Sequence, residues 1–543
     1  MVIFAAMRAA AVVLGIFAGL IPQVRAVPRP ESVAVLYNSA VPESRQLAEI
    51  YRDARGIPAE NLIGLEMPVA ADISREEYER AIAVPLRQAF DRNGWWKRGR
   101  DGSGVTLPQA NDIRVLVTLR GVPLRIKGTP KPAPAAPQAN GSPAPPAAPP
   151  AAPADPLAGR DEASVDSELA MFGVEGVPSE GVLQNKYYKS DKKIEEARLP
   201  FLLLTARIDA ASRATCERMI RDAVEAEETG LWGTGYVDIA NKFPQGDQWL
   251  EDSVKAGAAK GIPTVIDRFN ETLPKNYPME EAAVYFGWYD WNASGPFVNP
   301  LFKFRKGAVA VHIHSYSAQQ LGDSSKNWCA PLLERGAAVT VGNVFEPYLH
   351  LTHDLGMLYR RLLDGHSWVE ACWMAMPVTS WQGVVLGDPL YRPFKHLAGT
   401  GKVAKEDRDY RALRAAMLKW PDDPAERRAQ LDRAALRLNS GKLSEAVGLE
   451  LVEQGRTAEA AVRFRGAKTQ FVRTEDKLRQ DLHLIAIDRS AGRKELALRG
   501  LRDAQATYGP IPAAESLAAW ILILDPPPPP PPPPPAKPPA GKS

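Results

Sequence analysis

The sequence predicts an α/β protein: a doubly wound, mostly parallel sheet followed by an all-α module. Three observations carry this expectation. Short runs rich in Val, Ala and Ile lack alternation, as parallel strands buried on both faces do. These runs alternate with amphipathic stretches of helical length, the βαβ pattern. After Phe394 the strand-like runs stop and only helical periodicity remains.

Residues 32–126 read as β-α-β-α-β. SVAVLY (32–37) is a strand, Glu43–Arg55 an amphipathic helix ended by Gly56-Ile57-Pro58, and Asn61–Glu66 the next strand. Ser74 and Glu77 have capping-box spacing and open a helix to about Asn93. The third strand is Ile113–Leu119. Gly128 to Asp155 is almost wholly Ala and Pro, which cannot bury enough surface to offset chain entropy. Beyond it, SVDSELAMF (164–172) is helix-like, and the strand LPFLLLTARID (199–209) leads into the helix 212–228. GYVDI (235–239) is a strand, and the helix 249–260 feeds the strand 263–266. Three strands follow: AAVYFGWYDWNASGPF (from 282), GAVAVHIHSYSA (from 307) and GAAVTVGNVFEPY (from 336), closed by Gly387-Asp388-Pro389-Leu390. Residues 405–520 give short helices with glycine breaks at 441, 455, 492 and 509, and the small residues Ala434, Ala446, Ala460 and Ala461 suit tetratricopeptide-like hairpins. Ten prolines, 526–535, form a stiff polyproline spacer. The expected organisation is a signal peptide at 1–26, an N-terminal α/β half at 27–127, an Ala/Pro insertion at 128–160, a second α/β half at 161–400, a helical-repeat domain at 401–524 and a proline tail at 525–543.

At 543 residues the chain exceeds what one core supports. The net charge of +3 is small and no basic block alternates with aromatics, so a nucleic-acid face is not expected. Arg8, the apolar run Ala9–Ile21 and the small residues around Val24-Arg25-Ala26 read as an export signal, which places the mature protein in the periplasm or outside the cell. Its thirteen apolar residues are too few to cross a bilayer comfortably, and no second such span follows. Cys216, Cys329 and Cys372 supply no disulfide framework, and without CxxC or HExxH no metal site or cofactor is expected.

In open α/β sheets, ligands bind beyond the carboxyl ends of the strands. The last three strands deliver Tyr289, Asp290 and Asn292; then His312, His314, Ser315 and Ser317; then Asn343 and Glu346. Ser315 with His314 as base and Asp290 in support is the candidate catalytic set, and Cys329 is the alternative nucleophile. Trp288, Tyr289, Asn292, Tyr316, Glu346, Asp209 and Arg207 are candidates for ligand binding, since aromatic residues with a few polar groups suit a sugar or a peptide. Asp166, Glu168, Asp238 and Asp388 also fall near strand ends, Asp388 as a turn former. Arg207 has Asp209 as an alternative partner. His350 and His353 are expected on a solvated loop.

With a helix carrying Leu363-Asp364-Gly365-His366-Ser367 and Glu370-Ala371 between the Gly-Ala-Ala-Val strand and the closing Gly387-Asp388-Pro389-Leu390, residues 282–394 resemble the C-terminal half of the caspase-like sheet in gingipain-type cysteine peptidases. In that family the first strand end carries His-Gly and the second the nucleophilic Cys. Here the matching positions hold Tyr289/Asp290 and His314/Ser315, so the resemblance implies the fold without the peptidase pair. Over 32–394 the chain also resembles an uncharacterised family of exported bacterial proteins through SVDSE, TARID, GWYDWNASGPF, SYSA and FEPY, which implies no mechanism. The expected function is therefore binding of peptide or glycan at the cell envelope. A hydrolase of peptidase or esterase type, and an assembly scaffold acting on protein partners through 401–524, are the alternatives.

Overall fold

The computed structural model describes residues 28–130, 156–397 and 403–528. The expected signal peptide, most of the Ala/Pro insertion and most of the proline tail lie outside the described residues.

The chain opens with β1 (Val33–Asn38), α1 (Pro42–Arg55) and β2 (Leu62–Leu65). Gly56 ends α1 at φ 66°, a left-handed conformation that glycine adopts without penalty. Helices α2 (Arg75–Tyr78) and α3 (Val84–Arg92) are joined by one wider turn at Glu79–Ala83. Ser74 and Glu77 make the expected reciprocal cap. A hairpin of Trp96–Arg100 and Thr106–Asn111 follows, where no strand was expected. Its exposed, basic residues hide the alternation that would have marked it. Next come β3 (Val115–Leu119), α4 (Val165–Leu169), β4 (Leu204–Ile208), α5 (Arg213–Thr229), β5 (Thr234–Asp238), α6 (Pro244–Ala258) and β6 (Thr264–Asp267). The last strands are β7 (Ala282–Gly287), β8 (Val309–His312), β9 (Thr340–Asn343) and β10 (Gly383–Leu386), with α7 (Cys329–Glu334) before β9 and α8 (Leu355–Leu363) and α9 (Trp368–Ala375) after it.

Strands β9-β10-β4-β3-β1-β2 form one sheet and β6-β5-β7-β8 another. A parallel bridge between Val309 and Val339 joins β8 to the residues leading into β9, so the two sheets meet edge to edge. β10 runs antiparallel to β9. It touches β4 at a single pair, Arg207 with Leu386, where the backbones are locally parallel. That one-residue contact does not set the sense of the whole; contacts past the strand ends do. Arg125, beyond β3, donates to the carbonyl of Gln319, beyond β8. Arg160 donates to the carbonyl of Glu346, beyond β9, at 3.2 Å. The carboxyl ends of β3, β8 and β9 therefore share one edge. Helices cover both faces, and β1, β3, β4, β5 and β7 are almost wholly buried.

Two expectations need correction. The segment around Leu363 to Ala371 is not one helix: Gly365 at φ 86° breaks it, and a Ser367/Glu370 capping box starts α9. The third strand of the trio begins at Thr340, after the Gly-Ala-Ala-Val run, which approaches β8 only through Val339 and its neighbours.

The C-terminal helices are α10 (Arg408–Lys419), α11 (Pro424–Leu438), α12 (Gly441–Glu453), α13 (Thr457–Gln470), α14 (Thr474–Ser490), α15 (Lys494–Tyr508) and α16 (Glu515–Leu524). Gly441 begins α12 just after the break that ends α11, and Gly455 and Gly492, both at positive φ, lie in the expected breaks after α12 and α14. The helices are fastened to the sheet by polar contacts. Arg414 donates to Leu231 O at 2.6 Å with its guanidinium over Trp232. Tyr410 donates to Glu281 at 2.6 Å, and Arg268 reaches Glu453 at 2.8 Å. Among the described residues no helix is long and apolar enough to cross a membrane.

Candidate functional site

The site is built outward from β7 and β8. Gly287, the last residue of β7, has no side chain to collide with the Tyr285 hydroxyl. The freed space lets Tyr285 Oη meet His312 Nδ1 at 2.9 Å. On the other side of that ring, the Asp290 backbone N–H donates to Nε2 at 3.2 Å. An accepting Nε2 leaves the hydrogen on Nδ1, so His312 donates to Tyr285. The imidazole lies flat on Trp328, with ring centroids 3.4 Å apart. Burial and the neighbouring His314 push its pKa well below the ordinary histidine value. His312 is thus a neutral positioning residue. It fixes the Asp290 backbone, while Trp328 donates from its indole to Asp290 O at 2.7 Å.

Beyond that support lies an aromatic ledge. Phe243, the residue before α6, packs 5.9 Å from Tyr289. Tyr289 lies 4.9 Å from the His314 ring, which lies 4.8 Å from Trp291. Trp291 continues to Tyr316 at 5.8 Å. Phe243, Tyr289 and Trp291 are 50%, 38% and 58% exposed. Their buried neighbour His314 bonds through Nδ1 to the Ser315 carbonyl at 2.7 Å. A contiguous exposed apolar surface of this kind is the usual mark of an interaction site.

The edge brings the segments carrying Asp290, Ser315 and Glu346 side by side, since β7 pairs in parallel with β8 and Tyr316 N donates to Phe345 O at 2.9 Å. It does not bring their polar groups onto one another. Asp290 Oδ2 accepts from Thr272 at 2.8 Å and from Ser294 at 2.5 Å. Glu346 accepts from the Tyr348 N–H at 3.1 Å. Asp290 is thus engaged by its own loop and by the segment between β6 and β7, and Glu346 by its own loop. Asn292, exposed, uses its oxygen to hold Asn327 N at 2.8 Å.

The nucleophilic sets fare no better. His314 engages the carbonyl of Ser315, not its hydroxyl, as adjacent residues on an extended segment would. Cys329 is buried, its thiol 3.5 Å from Val341 O, and burial pushes its pKa up to about 12. A thiol so placed is almost wholly protonated at neutral pH and is a poor nucleophile. Burial raises the Cys216 and Cys372 thiols as well.

Four further expectations are corrected. Trp288 is buried, donating to Asp247 at 2.9 Å, and offers no ligand surface. Arg207 is entirely buried, with every nitrogen engaged: Nε to Asp166 at 2.9 Å, Nη1 to Val122 O at 2.8 Å, and Nη2 to Pro123 O at 2.8 Å. Its neighbour Asp209 is also buried, 3.4 Å from Arg207 and 3.5 Å from Arg120, and burial raises its carboxyl. The pair ties the ends of β3 and β4 together and faces no ligand. His353 is buried, not solvated; burial lowers its pKa to about 3 and neither ring nitrogen has a partner. His350 is exposed as expected. Asp388 accepts from Leu390 N at 3.0 Å, the expected turn, and also anchors Tyr51 at 2.9 Å.

Sequence reasoning missed Phe243 and Arg160. Phe243 precedes a helix-opening proline on a different strand's loop. Arg160 lies at the margin of the Ala/Pro stretch, yet its guanidinium covers Tyr348 and Trp381. Among the described residues no group of three or more His, Cys, Asp or Glu could hold a metal ion. Comparison with protein-family models, with curated proteins and with solved structures gives no match.

Proposed function

We propose that the chain is an exported binding protein that holds a neutral glycan on the ledge of Phe243, Tyr289, Trp291 and Tyr316. In this reading the α/β part is a caspase/gingipain-like sheet without the peptidase pair, and the C-terminal helices are a tetratricopeptide-like module. The observation that carries the proposal is the row formed by three exposed rings and the half-buried Tyr316, each within 6 Å of the next through the buried His314. Pyranose rings present C–H faces that stack on such surfaces, while Tyr and Asn groups at the rim meet hydroxyls. Acid–base hydrolysis finds less support, because no hydroxyl or thiol of the candidate nucleophiles is bonded to an imidazole. Affinity electrophoresis through gels containing neutral polysaccharides tests the reading. Retarded migration of the parent protein that Trp291→Ala abolishes supports it. Retardation indifferent to that change, or seen with peptide probes in its place, counts against it.

A further inference from the structure

The amino ends of the strands form the edge opposite the aromatic ledge, and there β3 enters between β4 and β1. Arg114, the residue before β3, is clasped from both sides: its N–H donates to Ser32 O at 2.8 Å, and Leu204 N donates to its carbonyl at 3.0 Å. Its side chain is buried, yet makes a single hydrogen bond, from Nη2 to Leu199 O at 2.8 Å. Nε and Nη1 have no protein partner and are not sealed from solvent. Glu195 supports the Arg114 charge only through space, and burial lowers the pKa of the guanidinium. The buried Arg207, with every nitrogen engaged, is the contrast. Arg114 lines a cavity of about 510 Å³, and the exposed Arg29 and Arg198 line it too. Among the described residues no carboxylate lies within ion-pair distance of any of the three. Two acidic residues share the cavity: Asp112, exposed, and Glu195, whose oxygens are both buried without a partner. Burial holds the Glu195 carboxyl above its ordinary range, which weakens it as a counter-charge.

We infer that this cavity binds a small organic phosphate monoester, its phosphoryl oxygens held by Arg114, Arg29 and Arg198. A buried charge without a partner is costly, and an oxyanion seated on the free N–H groups of Arg114 supplies the missing compensation. Three guanidinium groups against two carboxyls, one of them weakened by burial, leave an excess of positive charge. That excess suits an anion and disfavours a neutral or cationic ligand. The planar fork of a guanidinium matches phosphate oxygens, and three forks around one group suit a dianion better than a single carboxylate. The cavity volume falls among small-ligand sites and exceeds what a bare phosphate fills, so the phosphate carries an organic body. Ile194, Leu199 and Pro200 give that body an apolar side. This site is separate from the aromatic ledge and does not depend on what the ledge binds.

The test uses the full chain and glycerol 3-phosphate, titrated by calorimetry in a phosphate-free buffer, with succinate as a dianion that lacks phosphorus. Inorganic phosphate serves as competitor. Arg114→Met removes the buried guanidinium, and thermal unfolding establishes whether it is folded. Arg29→Gln and Arg198→Gln, both at exposed positions, test the site even if Arg114→Met is not folded. The inference predicts a saturable heat with glycerol 3-phosphate that inorganic phosphate suppresses. It also predicts at least tenfold weaker binding by folded Arg114→Met and at least threefold weaker binding by each exposed variant. It is overturned if glycerol 3-phosphate does not bind below about 1 mM, the weak end of specific affinity. Binding of succinate as tight as that of the phosphate overturns it, as does parent-like binding by both exposed variants. A last arm uses phosphatidylcholine vesicles containing phosphatidic acid. Cosedimentation that Arg198→Gln abolishes, without binding of glycerol 3-phosphate, overturns the inference, since a lipid headgroup would then be the occupant.

Discussion

At the scale of single residues, charge and polarity in this molecule are mostly spent on holding backbone. Arg207 is the clearest instance: buried, bonded to Asp166, and donating to two carbonyls of the turn after β3. Removing one partner of such a pair leaves the other charge uncompensated, which costs about 3–5 kcal/mol. Arg207→Met is expected to lower the unfolding free energy by that amount in urea titrations, with little change on the exposed ledge. The thiols make a second case. With Cys216, Cys329 and Cys372 all buried and their thiolates disfavoured, a thiol-directed chromogenic reagent at pH 8 should label none of them until the protein is denatured. Rapid labelling of Cys329 in the folded chain would return it to the list of nucleophiles. Arg207, with Asp209 two residues on, already suggests an ion pair in the sequence. Its third and fourth partners are carbonyls some 85 positions away, which no local pattern announces.

At the scale of elements, helices and buried strands were legible because their signals are local. The Ser74/Glu77 cap, the Gly56 stop and the continuous apolar runs of β4 and β7 each report on their own few residues. What escaped depends on pairing. β10 has only four residues, and its antiparallel sense is fixed by β9, not by its own composition. The hairpin at 96–111 carries Lys97, Arg98 and Arg100 on one strand, so it lacks an apolar stripe. Close approach is equally invisible: Gly246 in α6 lies against the Trp288 ring, and a Cβ there would overlap the indole. Gly246→Ala is expected to cost roughly 1–3 kcal/mol, as overpacking of a closed contact does. It should also disturb the adjacent Tyr289, visible as lowered melting temperature together with weakened ligand binding. An unchanged melting temperature would mean that the contact is not closed.

For the whole molecule, the site is a product of sheet order. β6, β5, β7 and β8 carry Asp267, Asp238, Gly287 and His312 at matching positions along one edge. The sequence suggested Asp238 near a strand end but not Asp267, nor that the two would lie opposite each other in a buried register. Burial, with Asp267 adding repulsion at Asp238, raises both carboxyls above the ordinary range. Asp238 Oδ2 accepts from Leu273 N, while Oδ1 has no partner. Because the folded pKa values exceed the unfolded value of about 3.9, the stability these groups supply is whole below about pH 4 and lost as pH rises through the folded values. Denaturant titrations from pH 5 to pH 8 should therefore show the parent losing stability relative to Asp238→Asn as pH rises. Parallel pH curves for the two proteins would contradict the buried acid pair.

The aromatic ledge remains the claim on which the functional account stands, and calorimetry tests it most directly. Neutral oligosaccharides would be titrated into the parent chain and into a Tyr289→Ala/Trp291→Ala double variant. The account predicts a saturable heat for the parent, at least a tenfold loss of affinity in the variant, and equal melting temperatures for the two. No heat with the parent, or equal affinity in a folded variant, would contradict it.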